Sequence, residues 1–254
     1  MLENVHFELA DCMEYMSRFS DGYFDIAVVD PPYGIGESGK TNHTRSKLAT
    51  SKDYVPFRGG DREPPGPEYF KELFRVSKNQ VIFGANHFIE NFARNSSCWI
   101  VWDKQNGEND FADAELAWTS FASAVRICRY RWQGMLQENM RDRERRIHPT
   151  QKPIGLYMWI YHRYAPGGGR LLDTHVGSGS SLIAAARSGL EAYGCELDEH
   201  YYKAASERIA AELQQTTLFD SWGSAARRQE RVRRQNRHDR GGDRAITCGS
   251  GREV

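Results

Sequence analysis

No stretch of this 254-residue chain approaches the roughly 18 consecutive apolar residues that a membrane span requires. Its first residues, Met1-Leu2-Glu3-Asn4-Val5-His6, show no basic region leading into an apolar core, so a secretory leader is not expected and a cytoplasmic location is. Cysteine is sparse: Cys12, Cys98, Cys128, Cys195 and Cys248 are odd in number, scattered and never spaced as Cys-x-x-Cys. That argues for reduced thiols and against a zinc site. Net charge is lacking too, with 34 basic side chains against 34 acidic ones, so the overall balance says little about a partner. No internal repeat is visible.

What is present, 39% apolar and 27% charged residues, suits one α/β domain carrying an insertion or a tail. Charge is uneven along it. From Ser221 to Val254, nine arginines stand against four acidic residues and few apolar ones, which reads as a disordered tail behind a folded domain at 1–220. Two other stretches are basic and loop-like. Residues 34–68 interleave Gly, Ser, Thr and Pro with Lys40, Arg45, Lys47 and Arg58, and the second, within 103–147, carries Arg141, Arg143, Arg145 and Arg146. Long loops inside a compact domain are commonly functional. A solvated charged surface is the plain reading of both, and contact with a polyanion is the functional one.

Hydrophobic periodicity lays out alternating strands and helices. Val5–Leu9 alternates in period two, Met13, Met16 and Phe19 recur at helical spacing, and Phe24–Val29 reads as a buried strand. A helix is expected over Pro67–Val76, a strand over Gln80–Phe83, a helix over Ala85–Ala93 and a strand over Cys98–Trp102. Strands then follow at 115–121 and 125–132 with no helix between them, which suggests an antiparallel hairpin closing one end of the sheet. Helices at 154–164, 181–188 and 199–214 enclose strands at 170–173 and 192–195. The pattern is that of an α/β fold with a doubly wound, mixed but mostly parallel sheet.

Two strand exits stand out. Val28-Val29 runs into Asp30-Pro31-Pro32-Tyr33, where the prolines forbid the strand from continuing and leave an acid and an aromatic at its carboxyl end. In open α/β sheets ligands bind at that edge, although an ordinary strand-to-turn exit has the same residues. Leu171 to Glu196 forms a βαβ unit with Gly177 and Gly179 in its first turn, glycines that let a ligand approach the backbone and a helix N-terminus. Glu196, at the end of the second strand, can accept two hydrogen bonds from a ribose diol, so a nucleoside-bearing cofactor is indicated. Leu182 stands where a dinucleotide fingerprint has its third glycine, and no Gly-Lys-Ser/Thr follows, so neither a nicotinamide site nor a P-loop is described. Asp173, at the first strand's end, suits a cation or amino group better than a pyrophosphate. Asp11 also ends a strand, and its bland role is to cap the helix that follows.

Taken in order, Asp30-Pro31-Pro32-Tyr33, His148-Pro149-Thr150-Gln151-Lys152-Pro153 and Asp173-Thr174-His175-Val176-Gly177-Ser178-Gly179-Ser180 resemble the amino-methyltransferases that act on exocyclic nitrogens of DNA bases. With the catalytic motif first and the cofactor motif last, the order resembles that family's circularly permuted β class, over residues 4 to 214. The resemblance implies a Rossmann-like class I methyltransferase fold with a C-terminal antiparallel hairpin in the sheet, and S-adenosylmethionine as cofactor. It implies that Asp173 with Gly177, Ser178, Gly179 and Ser180 holds the methionine part, that Thr150 and Lys152 lie near its carboxylate, that Glu196 holds the ribose, and that Asp11 and Cys12 lie against the adenine. Asp30, Pro31, Pro32 and Tyr33 become catalytic: the Asp30 carboxylate and the Pro31 carbonyl accept the two N–H bonds of a flipped-out amino group, and Tyr33 stacks on the base. Lys40, Arg45, Lys47, Arg58, Arg141, Arg143, Arg145 and Arg146 would contact phosphates.

The expected partner is thus DNA, with no metal and no membrane, in a modification or restriction-modification setting; a homodimer is one option. Adenine N6 is the expected target. N4 of cytosine, an RNA amino group and a catalytically silent nucleic-acid binder are the alternatives. One departure is visible, since the family often has Asp-Pro-Phe where this chain has Asp173-Thr174-His175. His148 and His175 are read as packing or capping residues.

Overall fold

In the computed structural model the described residues are 4–36, 63–107, 112–133 and 136–214. Their strands are, in chain order, β1 (Val5–Leu9), β2 (Ile26–Val29), β3 (Gln80–Phe83), β4 (Trp99–Asp103), β5 (Ala114–Thr119), β6 (Arg126–Arg129), β7 (Trp132–Gln133), β8 (Leu136–Gln137), β9 (Arg170–Asp173) and β10 (Glu191–Glu196). β7 and β8 form a separate two-stranded ribbon, and the others build one eight-stranded sheet in the order β1-β10-β9-β2-β3-β5-β4-β6. Among the described residues the last two strands therefore lie between the first two, in keeping with a permuted motif order. Pairing is parallel from β1 through β3 and again between β4 and β6; only β5 runs antiparallel to its neighbours β3 and β4.

Burial follows from strand periodicity. In β2, Ile26 and Val28 face one core and Ala27 and Val29 the other, so the strand is apolar throughout because both faces are covered. The first core is roofed by α3 (Ile154–Tyr164), α4 (Ser180–Arg187) and a last helix, α5, over residues 199–214. The second lies under α1 (Cys12–Ser17) and α2 (Pro67–Val76), whose Tyr15, Met16, Tyr69, Phe70, Leu73 and Val76 are buried. Helices on both faces of a mostly parallel sheet are the doubly wound architecture that the sequence pattern predicts. Pro67 opens α2, where its missing N–H costs nothing.

Three expectations are revised. The strands expected at 115–121 and 125–132 do not pair as a hairpin: β5 runs antiparallel between β3 and β4, and β6 joins β4 in parallel at the end of the sheet. The helix expected over 85–93 is two 3-10 turns, Ala85–His87 and Ile89–Asn91, because Gly84 enters the segment in the left-handed region (φ 67°) and Ala93 leaves it there (φ 42°). The strand expected over 125–132 breaks after Arg129, and Trp132 turns into the ribbon, donating its indole N–H to the Gln151 carbonyl (2.7 Å). Residues 40–62, with Lys40, Arg45, Lys47 and Arg58, and the arginine-rich tail lie outside the described residues. Among the described residues no helix is long and apolar enough to cross a membrane.

Candidate active site

Because β1, β10, β9 and β2 are parallel neighbours, their exits share one edge of the sheet, and each exit carries an acid. Asp11 follows β1, Glu196 ends β10, Asp173 ends β9 and Asp30 follows β2. Four carboxylates on one edge repel one another unless each has its own donors. The donors differ sharply between the two halves of the edge.

On the β1–β10–β9 side they come mostly from nearby chain. Asp11 caps α1, accepting from the Met13 and Glu14 N–H groups (2.8 and 3.2 Å), which is its bland role. Glu196 accepts the N–H of Gly177 (2.8 Å) through one oxygen and that of Asp198 (2.9 Å) through the other. Asp173 is buried and accepts the His175 N–H (3.0 Å) and the Ser181 hydroxyl. Burial above all pushes its carboxyl up to about 7, with Asp30 and Glu196 adding to the rise. Gly177 holds a left-handed φ of 53°. Gly179 (φ 81°) has a packing reason as well, since a Cβ there would lie 2.9 Å from Ile209 of α5.

The Asp173-Thr174-His175 departure has a local explanation. Thr174 Oγ1 is hydrogen-bonded to the Tyr69 hydroxyl of α2 (2.7 Å) and to His175 Nδ1 (2.9 Å), so side-chain bonds fix the turn where a proline would fix it by its ring. Burial lowers both His175 and His148 to about 4, leaving neutral rings. His148 packs edge-on against Tyr201, and its Nδ1 meets Thr150 Oγ1 at 3.1 Å. Cys12 is partly buried at the start of α1, its thiol pushed up to about 11 by burial and by Asp11.

On the β2 side one donor is near in the chain and the other comes from far along it. Tyr33 folds back so that its hydroxyl donates to Asp30 Oδ1 (2.7 Å), and Lys152 Nζ donates to Asp30 Oδ2 (2.5 Å). Both donors also reach a second acid, Glu115 of β5: Oε2 lies 3.3 Å from the Tyr33 hydroxyl and 3.1 Å from Lys152 Nζ. Lys104 completes the cluster at 2.5 Å from Glu115 Oε1. The Lys152 ammonium sits over the rings of Phe83 and Tyr33 (4.8 and 5.4 Å) with its side chain 4% exposed, while that of Asp30 is 16% exposed. So Asp30 is less completely enclosed than its lysine.

The Tyr33 ring stacks on His87 (5.2 Å, 15°), and a Cβ on Gly84 would fall 2.0 Å from it, so only glycine at 84 leaves the ring its place. Burial raises Asp30, and Lys152 opposes the rise. Burial also disfavours the Lys152 ammonium, but Asp30 and Glu115 outweigh it and hold the proton on. Lys152 and Lys104 together overcome the burial of Glu115 and hold its carboxyl at about 2.

The structure thus brings Asp30, Tyr33 and Lys152 together, with Pro31 buried and Pro32 partly so. It gives Lys152 a place beside Asp30, where the resemblance implied one near a cofactor carboxylate. Sequence reasoning misses Glu115 and Lys104, and it misses a second bridge. Arg208 of α5 donates to the Ser178 carbonyl (2.8 Å), to Ser180 Oγ (2.9 Å) and to Glu144 Oε2 (2.9 Å). Glu144 Oε1 in turn accepts the Ile154 N–H at the start of α3. The glycine turn is thereby tied to the stretch containing Arg141, Arg143 and Arg145, which are themselves exposed; Arg146 is partly buried and bonds to the Pro149 carbonyl. Among the described residues no cluster of His, Cys, Asp and Glu could hold a metal ion.

Known proteins are similar to this chain in sequence and in fold. Residues 99–207 match the family model described as DNA methylase (N6_N4_Mtase), a span that holds Glu115, Lys152, Asp173 and Glu196 but stops short of Asp30. The chain is 23% identical over 231 residues to YubD of Escherichia coli (strain K12), a protein named as a methylase, covering 84% of this chain and 94% of that protein. It is 22% identical over 244 residues to the type II methyltransferase M.HpaI of Haemophilus parainfluenzae, covering 80% and 74% respectively. Among solved structures it is similar to TTHA0409 of Thermus thermophilus, a DNA modification methylase by name, crystallised with S-adenosyl-L-methionine (19% identity, TM-score 0.50, 82% of this chain and 94% of that one). The PvuII DNA methyltransferase, which is cytosine-N4-specific, gives the same TM-score at 11% identity over 82% of this chain and 91% of its own. These two likenesses bear on the fold, which is that of class I methyltransferases.

Proposed function

We propose that this chain, whose residues 99–207 match the DNA methylase family model, transfers a methyl group from S-adenosylmethionine to the N6 amino group of adenine in DNA. The observation that carries the reading is the shared edge: the Asp30 carboxylate stands at the same sheet edge as the Asp173, glycine-turn and Glu196 group. The acidic first residue of the Asp30-Pro31-Pro32-Tyr33 motif supports adenine over cytosine within this family.

The residues fit the cofactor. Glu196 and Asp11 stand among exposed apolar side chains, Leu9, Met13 and Leu197, a setting suited to a nucleoside's flat base and its diol. Asp173 adds an acid for an amino group, and Gly177 supplies the left-handed backbone of the turn (φ 53°). S-adenosylmethionine supplies, when bound, a methyl group whose S–C bond breaks toward sulfur as the amine's lone pair forms the new N–C bond. The chain's own work lies with the nitrogen. An adenine amino group is a poor nucleophile because its lone pair is delocalised into the ring. The Asp30 carboxylate and the Pro31 carbonyl accept its two N–H bonds, draw the nitrogen toward tetrahedral geometry and localise the pair. After transfer the cationic nitrogen gives one proton to Asp30. A base inside a duplex cannot reach this acid, so it enters flipped out and stacks on the Tyr33 ring, a contact worth about 1–3 kcal/mol. Arg141, Arg143 and Arg145, with the basic residues of 40–58, serve the phosphates.

The deciding experiment is incubation with labelled S-adenosylmethionine and mixed-sequence DNA, followed by nucleoside analysis. N6-methyladenine is the expected product. N4-methylcytosine would overturn the choice of base, and no labelled nucleoside would overturn the activity. Deleting 221–254 is expected to spare turnover at low salt and weaken DNA binding as salt rises, read from binding isotherms across a salt series.

A further inference from the structure

The acceptor on which the proposed reaction depends is already in use. Asp30 Oδ1 takes the Tyr33 hydroxyl and Oδ2 takes the Lys152 ammonium, at 2.7 and 2.5 Å. A target amino group has to displace at least one of them, and a displaced donor in a buried site needs another acceptor at once. Glu115 is that acceptor. It lies 3.3 Å from the same hydroxyl and 3.1 Å from the same ammonium, so each donor is shared between two carboxylates and sits about 0.6 Å closer to Asp30 in both cases. Its other oxygen is held by Lys104, which fixes the side chain without occupying Oε2.

We propose that Glu115 is a positioning residue for methyl transfer, receiving the Tyr33 hydroxyl and the Lys152 ammonium when the target amino group takes over Asp30. The inference rests on the methyltransferase reading and adds a residue to it. Two features favour it over a purely architectural role. An acid on β5 needs only one lysine for neutrality, yet Glu115 has two, and the second is the lysine that holds Asp30. The Tyr33 hydroxyl is directed at both carboxylates, and a hydroxyl can leave one for the other with little movement of a ring stacked on His87. The exchange keeps the charge of the cluster constant: two carboxylates and two ammonium groups before and after.

The test is a double-mutant cycle of Glu115→Gln and Tyr33→Phe in the full-length protein. Three quantities are read: methyl transfer, the dissociation constant for S-adenosylmethionine, and fluorescence of DNA with 2-aminopurine next to the target adenine, which brightens when its stacking neighbour is extruded. Glu115→Gln is expected to lower turnover roughly ten- to a hundredfold, the range of a charge-assisted hydrogen bond, and to weaken the extrusion signal, with cofactor affinity within about twofold of native. In the Tyr33→Phe background, where one of the two donors no longer exists, the same change should cost at least about threefold less. Glu115→Asp, which keeps the charge, should recover part of the loss, and carries the same cycle should the glutamine variant fail to fold. Native turnover in Glu115→Gln, equal losses in both backgrounds, or cofactor affinity falling in step with turnover would each overturn the proposal. Failure of the unaltered protein to methylate any DNA would instead overturn the function from which it starts.

Discussion

The two halves of the sheet's carboxyl edge solve one problem in opposite ways. Asp173, Glu196 and Asp11 receive donors 2 to 19 residues away, and these are backbone N–H groups and a hydroxyl. Asp30, apart from the adjacent Tyr33, depends on Lys152, 122 residues on, which is shared with Glu115 of β5. Local neutral donors make a rigid site that leaves its acids partly uncompensated, fit to receive a cation. Distant charged donors make a neutral cluster whose partners can be traded, fit for an acceptor that must be free only at the moment of reaction. On the proposed function, one half binds the cofactor and the other exchanges its donors.

Removing Asp30 tests that division most severely. Asp30→Ala is expected to reduce methyl transfer by about 10³-fold, the scale of losing one preorganised charge-stabilising group, while leaving cofactor affinity within about twofold. Single-turnover transfer and calorimetric binding measure the two sides separately. If cofactor binding fell equally, the halves would be one site and the comparison would break.

Next in size are the donors themselves. Lys152→Met strands Asp30 in a buried setting while Glu115 keeps Lys104, and should cost about 3 kcal/mol of stability in a urea melt. Ser181→Ala, the matching deletion beside Asp173, should cost about 1 kcal/mol, because a neutral donor to a carboxyl that is readily protonated is worth less. Equal costs would mean that the long-range cluster has no more at stake than the local one.

That same distance governs what can be read in advance. The helices at 67–76 and 154–164, the strand at 80–83 and the order of the three motifs are legible because apolar period and turn chemistry act over a few residues. So is the cap role of Asp11. The Lys152–Asp30 pair is not, since it depends on β2 and the entry to α3 meeting across the sheet. Glu115 is less visible still. Ala114–Thr119 reads as a plain strand, and the one available signal is a lone acid in it, Glu115-Leu116-Ala117-Trp118, with Lys104 just beyond the adjoining strand. The break of 85–93 into 3-10 turns is hidden for another reason: Gly84 is glycine for the sake of the Tyr33 ring, and nothing local announces that.

The smallest effect probes the binding half by pH. Asp173 titrates near 7, so between the ordinary carboxyl value of 3.8 and about 7 the folded protein holds a proton that the unfolded chain has released. The sign follows from linkage. Without ligand, this group lowers stability as pH rises through that window, and the loss is complete above about 7. A cationic ligand needs the ionised form and reverses the trend. Affinity for S-adenosylmethionine should be flat above about pH 7 and fall by up to about tenfold per unit below it, near 1.4 kcal/mol per unit. Asp173→Asn should remove both slopes, so the informative quantity is the difference between native and variant titrations, in which the carboxylates not coupled to Asp173 cancel. If the two curves ran parallel through pH 7, Asp173 would titrate as an ordinary carboxylate, and the neutral donors from Ser181 and His175 would be compensating its charge as fully as Lys152 compensates Asp30.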